Sequence, residues 1–297
     1  MAENSTIEWT THTFNPWRGC TKVSPGCAHC YAETLSARNP GTLGKWGPNG
    51  TRVIASETQW KLVRKWDREA AIAGRRDRVF CASLADVFEG PETMPAEAWP
   101  KVRAARVRFF HLISETPDLD WLLLTKRPEN VRRFCEAGDR SWAENTPRNV
   151  WLGTSVENQA AADARIPHLL ATDARVRFLS MEPLLGPVDL SRYLPNTFTG
   201  FPRGPRVNWA IVGGESGPKA RPVHPRWVRS LRDQCRAAGV PFFFKQWGEY
   251  GPEQTKPIAF TPVTSGVPMD EPASMFRVGK KDAGRLLDGR EWNEVPA

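Results

Sequence analysis

Six short apolar runs recur along the chain, spaced by stretches of helical pattern, and this alternation constrains the fold more than any other feature. The runs cover residues 79–84, 121–127, 149–155, 176–182, 208–215 and 240–247. Each is short and nearly continuous in apolar character, as strands buried on both faces of a parallel sheet are. Helical spacing fills most of the intervals. Over residues 56–73, Trp60, Val63, Trp66, Ala70 and Ala71 recur on one face, with Ser56 placed as N-cap. Further helices are expected over residues 31–38, 95–115, 158–172 and 225–238, and in a segment opened by Pro128, a residue tolerated in a first helical turn. A first strand over residues 7–18 brings the count to seven. Strand–helix alternation of this kind predicts βαβ units. The expected fold class is α/β, a partial or irregular TIM-like (β/α) barrel with parallel strands; a doubly wound open sheet is the alternative. The barrel is assigned to residues 1–248. From Glu249 the chain becomes rich in Pro, Gly and Thr, and residues 249–297 are expected to form a C-terminal extension packed on the barrel.

The first strand feeds a loop, Gly19 to Glu33, that carries three cysteines. Cys20, Cys27 and Cys30 are spaced C-x6-C-x2-C, and Pro25-Gly26 forces a turn between the first two. A turn there lets three thiolates converge on one centre. Closed structural zinc sites take four protein ligands. Three thiolates suit a [4Fe–4S] cluster whose fourth iron is open to a ligand from outside the protein. The alternatives are a zinc site completed by His12, His29 or Cys81, and a set of plain buried cysteines. Cys81, Cys135 and Cys235 stand in apolar or helical contexts and are expected in or near the core. Nothing at the N-terminus reads as a secretory signal and no apolar run approaches bilayer length, so a cytoplasmic protein without disulfides is expected.

Charge adds a partner class. The chain has 41 basic and 33 acidic side chains, a formal charge of +8, which favours an anionic partner and nucleic acid first. Thirteen tryptophans are present. Several could stack on bases, but most fall in strand or helix patterns where core packing is the expectation.

In parallel β/α barrels the C-terminal ends of the strands build the site. Here nearly every run ends in polar or glycine-rich residues: Ser83 and Asp86; Thr125, Lys126 and Arg127; Thr154, Ser155, Glu157 and Asn158; Ser180 and Glu182; Gly213, Gly214, Glu215 and Ser216; Lys245 and Gln246. Asp86, Lys126, Ser155, Glu157 and Glu182 are expected to ring one mouth that faces the cysteine loop. Solvent-facing loop ends are polar for a simpler reason, which is the competing account of each residue taken singly. Neither a dinucleotide fingerprint nor a P-loop is present.

A three-cysteine loop after the first strand resembles the radical S-adenosylmethionine (SAM) superfamily. The Cys27-Ala28-His29-Cys30 half keeps that pattern, with His29 at its aromatic position and a longer gap before it. More closely, Asn15-Pro16-Trp17-Arg18-Gly19-Cys20 through Tyr31-Ala32-Glu33, Phe178-Leu179-Ser180-Met181-Glu182-Pro183 and Val212-Gly213-Gly214-Glu215-Ser216-Gly217 are similar to a radical-SAM-like family of phage and prophage proteins named after phage gene products. The resemblance implies that Cys20, Cys27 and Cys30 hold a [4Fe–4S] cluster and that SAM is the second cofactor. It further implies Asp86 or Ser83 for the SAM amino group, Lys126 for its carboxylate, and Ser155 or Glu157 for its ribose hydroxyls, with Glu182 at the same mouth. Gly213-Gly214-Glu215 follows the sixth strand, not the second where the superfamily places its own glycine-glycine-glutamate motif, and takes no role by resemblance. The implied activity is reductive cleavage of SAM to a 5′-deoxyadenosyl radical, with an external electron donor. The implied substrate is nucleic acid or a nucleotide-derived base, for modification or repair, in host cytoplasm if the chain is phage-encoded. A zinc-stabilised nucleic-acid-binding protein without catalysis is the second hypothesis, and a host-interaction protein on a decayed enzyme scaffold the third.

Overall fold

The apolar runs become neighbouring strands of one sheet. The computed structural model describes residues 3–138, 146–195, 204–252, 260–263 and 272–297; the side chains of 135–138 and 260–262, Cys135 among them, lie outside the described residues. The strands are β1 (His12–Thr13), β2 (Asp77–Cys81), β3 (Leu119–Thr125), β4 (Val150–Ser155), β5 (Val176–Met181), β6 (Trp209–Gly213) and β7 (Phe242–Gln246). Their order in the sheet is their order in the chain. The pairings β1·β2, β2·β3, β3·β4, β5·β6 and β6·β7 are parallel. A doubly wound sheet reverses strand order at a switch point, and no reversal occurs here. With right-handed crossovers, a sequential order keeps the connecting helices on one face. That is barrel winding stopped one strand short of eight, the expected partial (β/α) barrel class.

Helices form where the spacing places them: α1 (Tyr31–Arg38), α2 (Glu57–Ile72), α3 (Trp99–Ser114), α4 (Glu129–Gly138), α5 (Gln159–Leu170) and α6 (Pro225–Ala237). At the start of α2 the Ser56 backbone N–H donates to Gln59 Oε1 at 2.9 Å, one half of a capping box. The same helix buries Trp60, Val63, Trp66 and Ala70, as its period requires.

The expected first strand over residues 7–18 is divided. Only His12–Thr13 joins the main sheet, while Trp17–Arg18 pairs antiparallel with Val53–Ile54. Asn15-Pro16 causes the break. Pro16 has no N–H for a ladder, and the Asn15 side chain turns to the end of β2, accepting from Leu84 N at 2.7 Å and donating to Ser83 Oγ at 3.0 Å.

The chain divides into two compact units. The first comprises Met1–Ser24, Cys30–Thr154 and Ala171–Val176; the second comprises Pro25–His29, Ser155–Leu170 and Arg177–Ala297. In the first, Phe14, Trp60, Phe109 and Trp121 pack ring on ring, with Phe14 5.0 Å from Trp60 and Phe109 5.1 Å from Trp121 between centroids. In the second, β8 (Tyr250–Gly251), β9 (Phe260–Val263) and β10 (Ala273–Arg277) form a separate antiparallel sheet in the order β8-β10-β9. The segment beyond it lies along β7. Phe244 N donates to Trp292 O at 2.9 Å, Phe242 N donates to Glu294 Oε2 at 3.0 Å, and Phe243 bridges Asn293. Most tryptophans are core residues: Trp17, Trp60, Trp66, Trp121 and Trp209 are among the largest fully buried side chains. Those five are therefore removed from any role in stacking on bases.

Candidate functional site

The cysteine loop begins at a point only glycine can occupy. Gly19 has φ +112°, and a Cβ there would stand 2.3 Å from Thr51 O. Its N–H donates to Leu84 O at 3.0 Å, which ties the loop's start to the exit of β2. Cys20 follows, and burial first, then the Glu89 carboxylate, pushes its thiol up to about 12. Such a thiol keeps its proton at neutral pH until a metal displaces it.

Four charged side chains surround it. Arg127 Nη1 stands 3.7 Å from Cys20 Sγ and donates to Asp86 Oδ2 at 3.0 Å, while its Nη2 donates to Thr21 O at 2.7 Å. Behind them Arg52 grips Glu89 through Nε and Nη2, both at 2.8 Å, with neither side chain exposed to solvent. Two arginines balance two carboxylates, so the pocket is neutral before any thiolate forms. Burial works against the Arg127 charge, but the Asp86 and Glu89 carboxylates outweigh it and hold the guanidinium protonated.

Asp86 lies at the strand end where it was expected, with both oxygens already engaged. Oδ1 accepts from Thr125 Oγ1 (2.7 Å) and Phe88 N (3.0 Å); Oδ2 accepts from Lys126 N (3.0 Å) and Arg127 Nη1. Four donors fill a carboxylate's usual capacity. Asp86 thus braces Arg127 instead of standing open to an ammonium. Ser83 is half-buried, its hydroxyl facing Asn15 and its carbonyl accepting from the Tyr31 hydroxyl at 2.7 Å. Lys126 is half-buried beside them.

In the second unit the turn Pro25–Cys27 rests on the residues that follow β4. A Cβ on Gly26 would stand 3.1 Å from Glu157 Cδ, so the loop backbone lies directly on that carboxylate. Glu157 is buried and its Oε2 accepts from Arg165 Nη1 at 2.8 Å; the same nitrogen donates to Ser155 O at 2.9 Å. Glu182 stands just past the end of β5. It pairs with Lys245 Nζ at 2.8 Å and accepts from Gln246 Nε2 at 3.0 Å, which joins the ends of β5 and β7. Glu215 receives His29 Nδ1 at 3.2 Å and Arg221 Nη2 at 2.6 Å.

The cysteines separate by environment. Cys20, Cys27 and Cys30 are half-buried and joined by no disulfide, and Cys30 is the N-cap of α1. Cys81 and Cys235 are fully buried; burial pushes the Cys235 thiol up to about 12 and the Cys81 thiol well above its ordinary value. His12, one proposed zinc ligand, stacks on Trp66 at 4.2 Å and faces Asp77 at 3.7 Å. Among the described residues no group of three or more His, Cys, Asp or Glu side chains is gathered as a ligand set. The donors nevertheless fit a thiolate-held metal in kind and number: three cysteines on one loop, apart from the inert buried pair.

The sequence pattern misses Arg52, Arg165 and Arg221. All three carry charge, and a charged residue in a loop or on a helix gives no periodic signal of the partner it will meet, nor, for Arg52 and Arg165, of its burial.

Sequential parallel strands, with a thiol-rich loop after the first of them, define an α/β protein of the partial (β/α) barrel class. The chain belongs to the family DUF5131, described as proteins of unknown function, whose model matches residues 4–296. No curated protein matches it. The fold is similar to a cysteine-to-serine mutant of spore photoproduct lyase, with 11% identity, a TM-score of 0.46, and coverage of 92% of this chain and 70% of that chain. It is also similar to spore photoproduct lyase complexed with dinucleoside spore photoproduct, with 10% identity, a TM-score of 0.44, and coverage of 88% and 67% respectively. Among the described residues no helix is long and apolar enough to cross a membrane.

Proposed function

We propose that the protein is a radical SAM-type enzyme that acts on nucleic acid or a nucleotide-derived base. The observation that carries this reading is the loop itself. Its three cysteines, outside any disulfide, follow the first strand of a sequentially ordered parallel sheet, where β/α barrels build their sites. Cys20, Cys27 and Cys30 are the thiolates assigned to a [4Fe–4S] cluster. When bound, the cluster and SAM together supply an electron and a source of the 5′-deoxyadenosyl radical.

The chain's own residues bind and orient. Arg127 donates toward the Cys20 sulfur and fixes the loop through Thr21 O; hydrogen bonds of this kind tune the potential of a cluster. Lys126 is assigned to the SAM carboxylate, Ser83 to its amino group, and Ser155 and Glu157 to its ribose hydroxyls. Asp86 acts through Arg127, and Glu182, braced by Lys245 and Gln246, completes the polar strand ends. The formal charge of +8 supports a polyanionic substrate.

A second reading has one observation in its favour. His29 Nδ1 on Glu215 is the carboxylate–histidine arrangement that orients metal-bound imidazoles, which suits a three-cysteine, one-histidine zinc site.

Anaerobic purification decides between them. The enzyme reading expects iron and sulfide in the protein and 5′-deoxyadenosine from SAM with a chemical reductant. Stoichiometric zinc with neither iron nor 5′-deoxyadenosine, even after cluster reconstitution, would leave the second reading standing. Substrate class is read separately from salt dependence. Affinity for DNA or RNA is expected to fall steeply with rising salt, log K dropping by about 0.9 per log unit of salt for each phosphate contacted on duplex DNA. A flat response would move the substrate to a small molecule.

A further inference from the structure

We propose that Glu215 and Arg221 form a clasp that sets the middle of the cysteine loop, and that Gly213-Gly214 is the device that lets the clasp close. The proposal rests on reading the loop as a metal-holding segment and names the residues that position Cys27 within it.

The argument begins with backbone. At the end of β6 the pairing with β7 shifts register between Val212 and Gly213, and Gly214 N then donates to Gln246 O at 2.9 Å. A Cβ on Gly214 would stand 1.9 Å from Trp247 O and 3.2 Å from Val223 Cγ1. No side chain fits there, and the two backbones touch because glycine permits it. Gly248 repeats the device from the other side: its φ is +88°, and a Cβ on it would stand 2.2 Å from Glu215 O. That carbonyl accepts from Glu249 N at 2.9 Å. The main chain of Glu215 is therefore held between two glycine contacts and one hydrogen bond, and its side chain leaves from a fixed point.

The carboxylate collects four donors. Oε2 accepts from Arg221 N at 2.9 Å, from Arg221 Nε at 2.8 Å and from His29 Nδ1 at 3.2 Å, while Oε1 accepts from Arg221 Nη2 at 2.6 Å. Glu215 is 6% exposed. Burial opposes its charge, but the Arg221 and His29 bonds prevail and keep it ionised, so His29 is the donor in its pair. Arg221 Nη2 donates a second time, to Pro25 O at 3.1 Å. The clasp thus grips Pro25 and His29, two residues before and two after Cys27. A turn bond from Ala28 N to Pro25 O, at 3.1 Å, closes the segment between the grips. Closing the seven-residue loop from Glu215 to Arg221 would need only the bonds between those two; the reach to Pro25 and His29 is what marks a positioning role.

Two readouts test this. In apo-protein, the rate of alkylation of Cys27 by iodoacetamide is followed by mass spectrometry, with buried Cys235 as internal reference. Arg221→Ala and Glu215→Gln are expected to raise the Cys27 rate at least tenfold while Cys235 stays slow. Arg221→Lys, which keeps the charge but not the fork, is expected to fall between. In reconstituted protein, the same variants are expected to lose iron to a chelator at least tenfold faster and to alter the cluster's visible circular dichroism. His29→Ala removes one grip and leaves the ion pair, so it answers the question if the ion-pair variants fail to fold. Wild-type Cys27 rates in folded Arg221→Ala and His29→Ala would overturn the clasp whatever metal the wild type holds. A wild type that binds no metal, with Cys27 still exposed by the variants, would instead overturn the reading of the loop.

Discussion

Replacing Glu89 with alanine is expected to lower the stability of the protein by about 3–5 kcal/mol, the usual cost of stripping one partner from a buried ion pair. Arg52 and Glu89 are both fully shielded, and the guanidinium reaches the carboxylate through two bonds of 2.8 Å. Arg52 also donates to Thr51 O at 3.1 Å and Thr21 Oγ1 at 3.0 Å, so its hydrogen bonds are partly kept when Glu89 goes. What is lost is the compensation of a charge that has no access to water. Arg127, 3.7 Å from the same carboxylate, loses support as well. Urea unfolding of the single variant measures the effect, and a double variant, Arg52→Met with Glu89→Leu, is expected to be less destabilised than Glu89→Ala alone. A loss below about 1 kcal/mol for Glu89→Ala would show that water reaches the pair.

Each of the substitutions Cys20→Ala, Cys27→Ala and Cys30→Ala is expected to remove most of the iron from anaerobically prepared protein and all 5′-deoxyadenosine formation. Three thiolates are the minimum for a cluster with one open iron, and neither the buried cysteines nor His12 can replace one. Cys81 and Cys235 are fully buried, and His12 is stacked on Trp66 and held near Asp77. Cys235→Ala is expected to leave the iron content unchanged. Stoichiometric iron in a triple variant lacking all three loop cysteines would end the cluster assignment. The Cys20 variant carries further information, because its sulfur faces Arg127. Losing that thiol leaves the balanced charges around it intact, so Cys20→Ala is expected to fold like the wild type.

Six of the seven strands were legible because burial on both faces writes itself into short apolar runs, and their observed bounds differ from the expected ones by a few residues. The first strand misled, because Trp17 pairs with Ile54 across a long loop and no local pattern reports a partner that distant. The site was legible as a set of positions and not as a set of roles. Asp86 stands where an acid was expected, but the four donors that occupy it come from Thr125, Phe88, Lys126 and Arg127, and only the fold assembles them. Glu215 drew no role from its place in the chain. Its partners are His29, 186 residues away, and Arg221, in a loop without periodicity.

The segment along β7 bears on how the chain is made. As the last strand in the sheet, β7 offers unpaired donors and acceptors that any passing strand can use. Trp292, Asn293 and Glu294 cover them, but the ribosome delivers those residues only after β7 and the whole antiparallel sheet have emerged. At about 5–20 residues per second the edge stands open for seconds. Neighbouring nascent chains on one message hold identical open edges through the same interval. The protein's own covering segment wins that contest because it is tethered, at an effective concentration on the order of millimolar. Correct folding of this chain is in that sense decided late in its synthesis, by residues made long after the cysteine loop has left the ribosome.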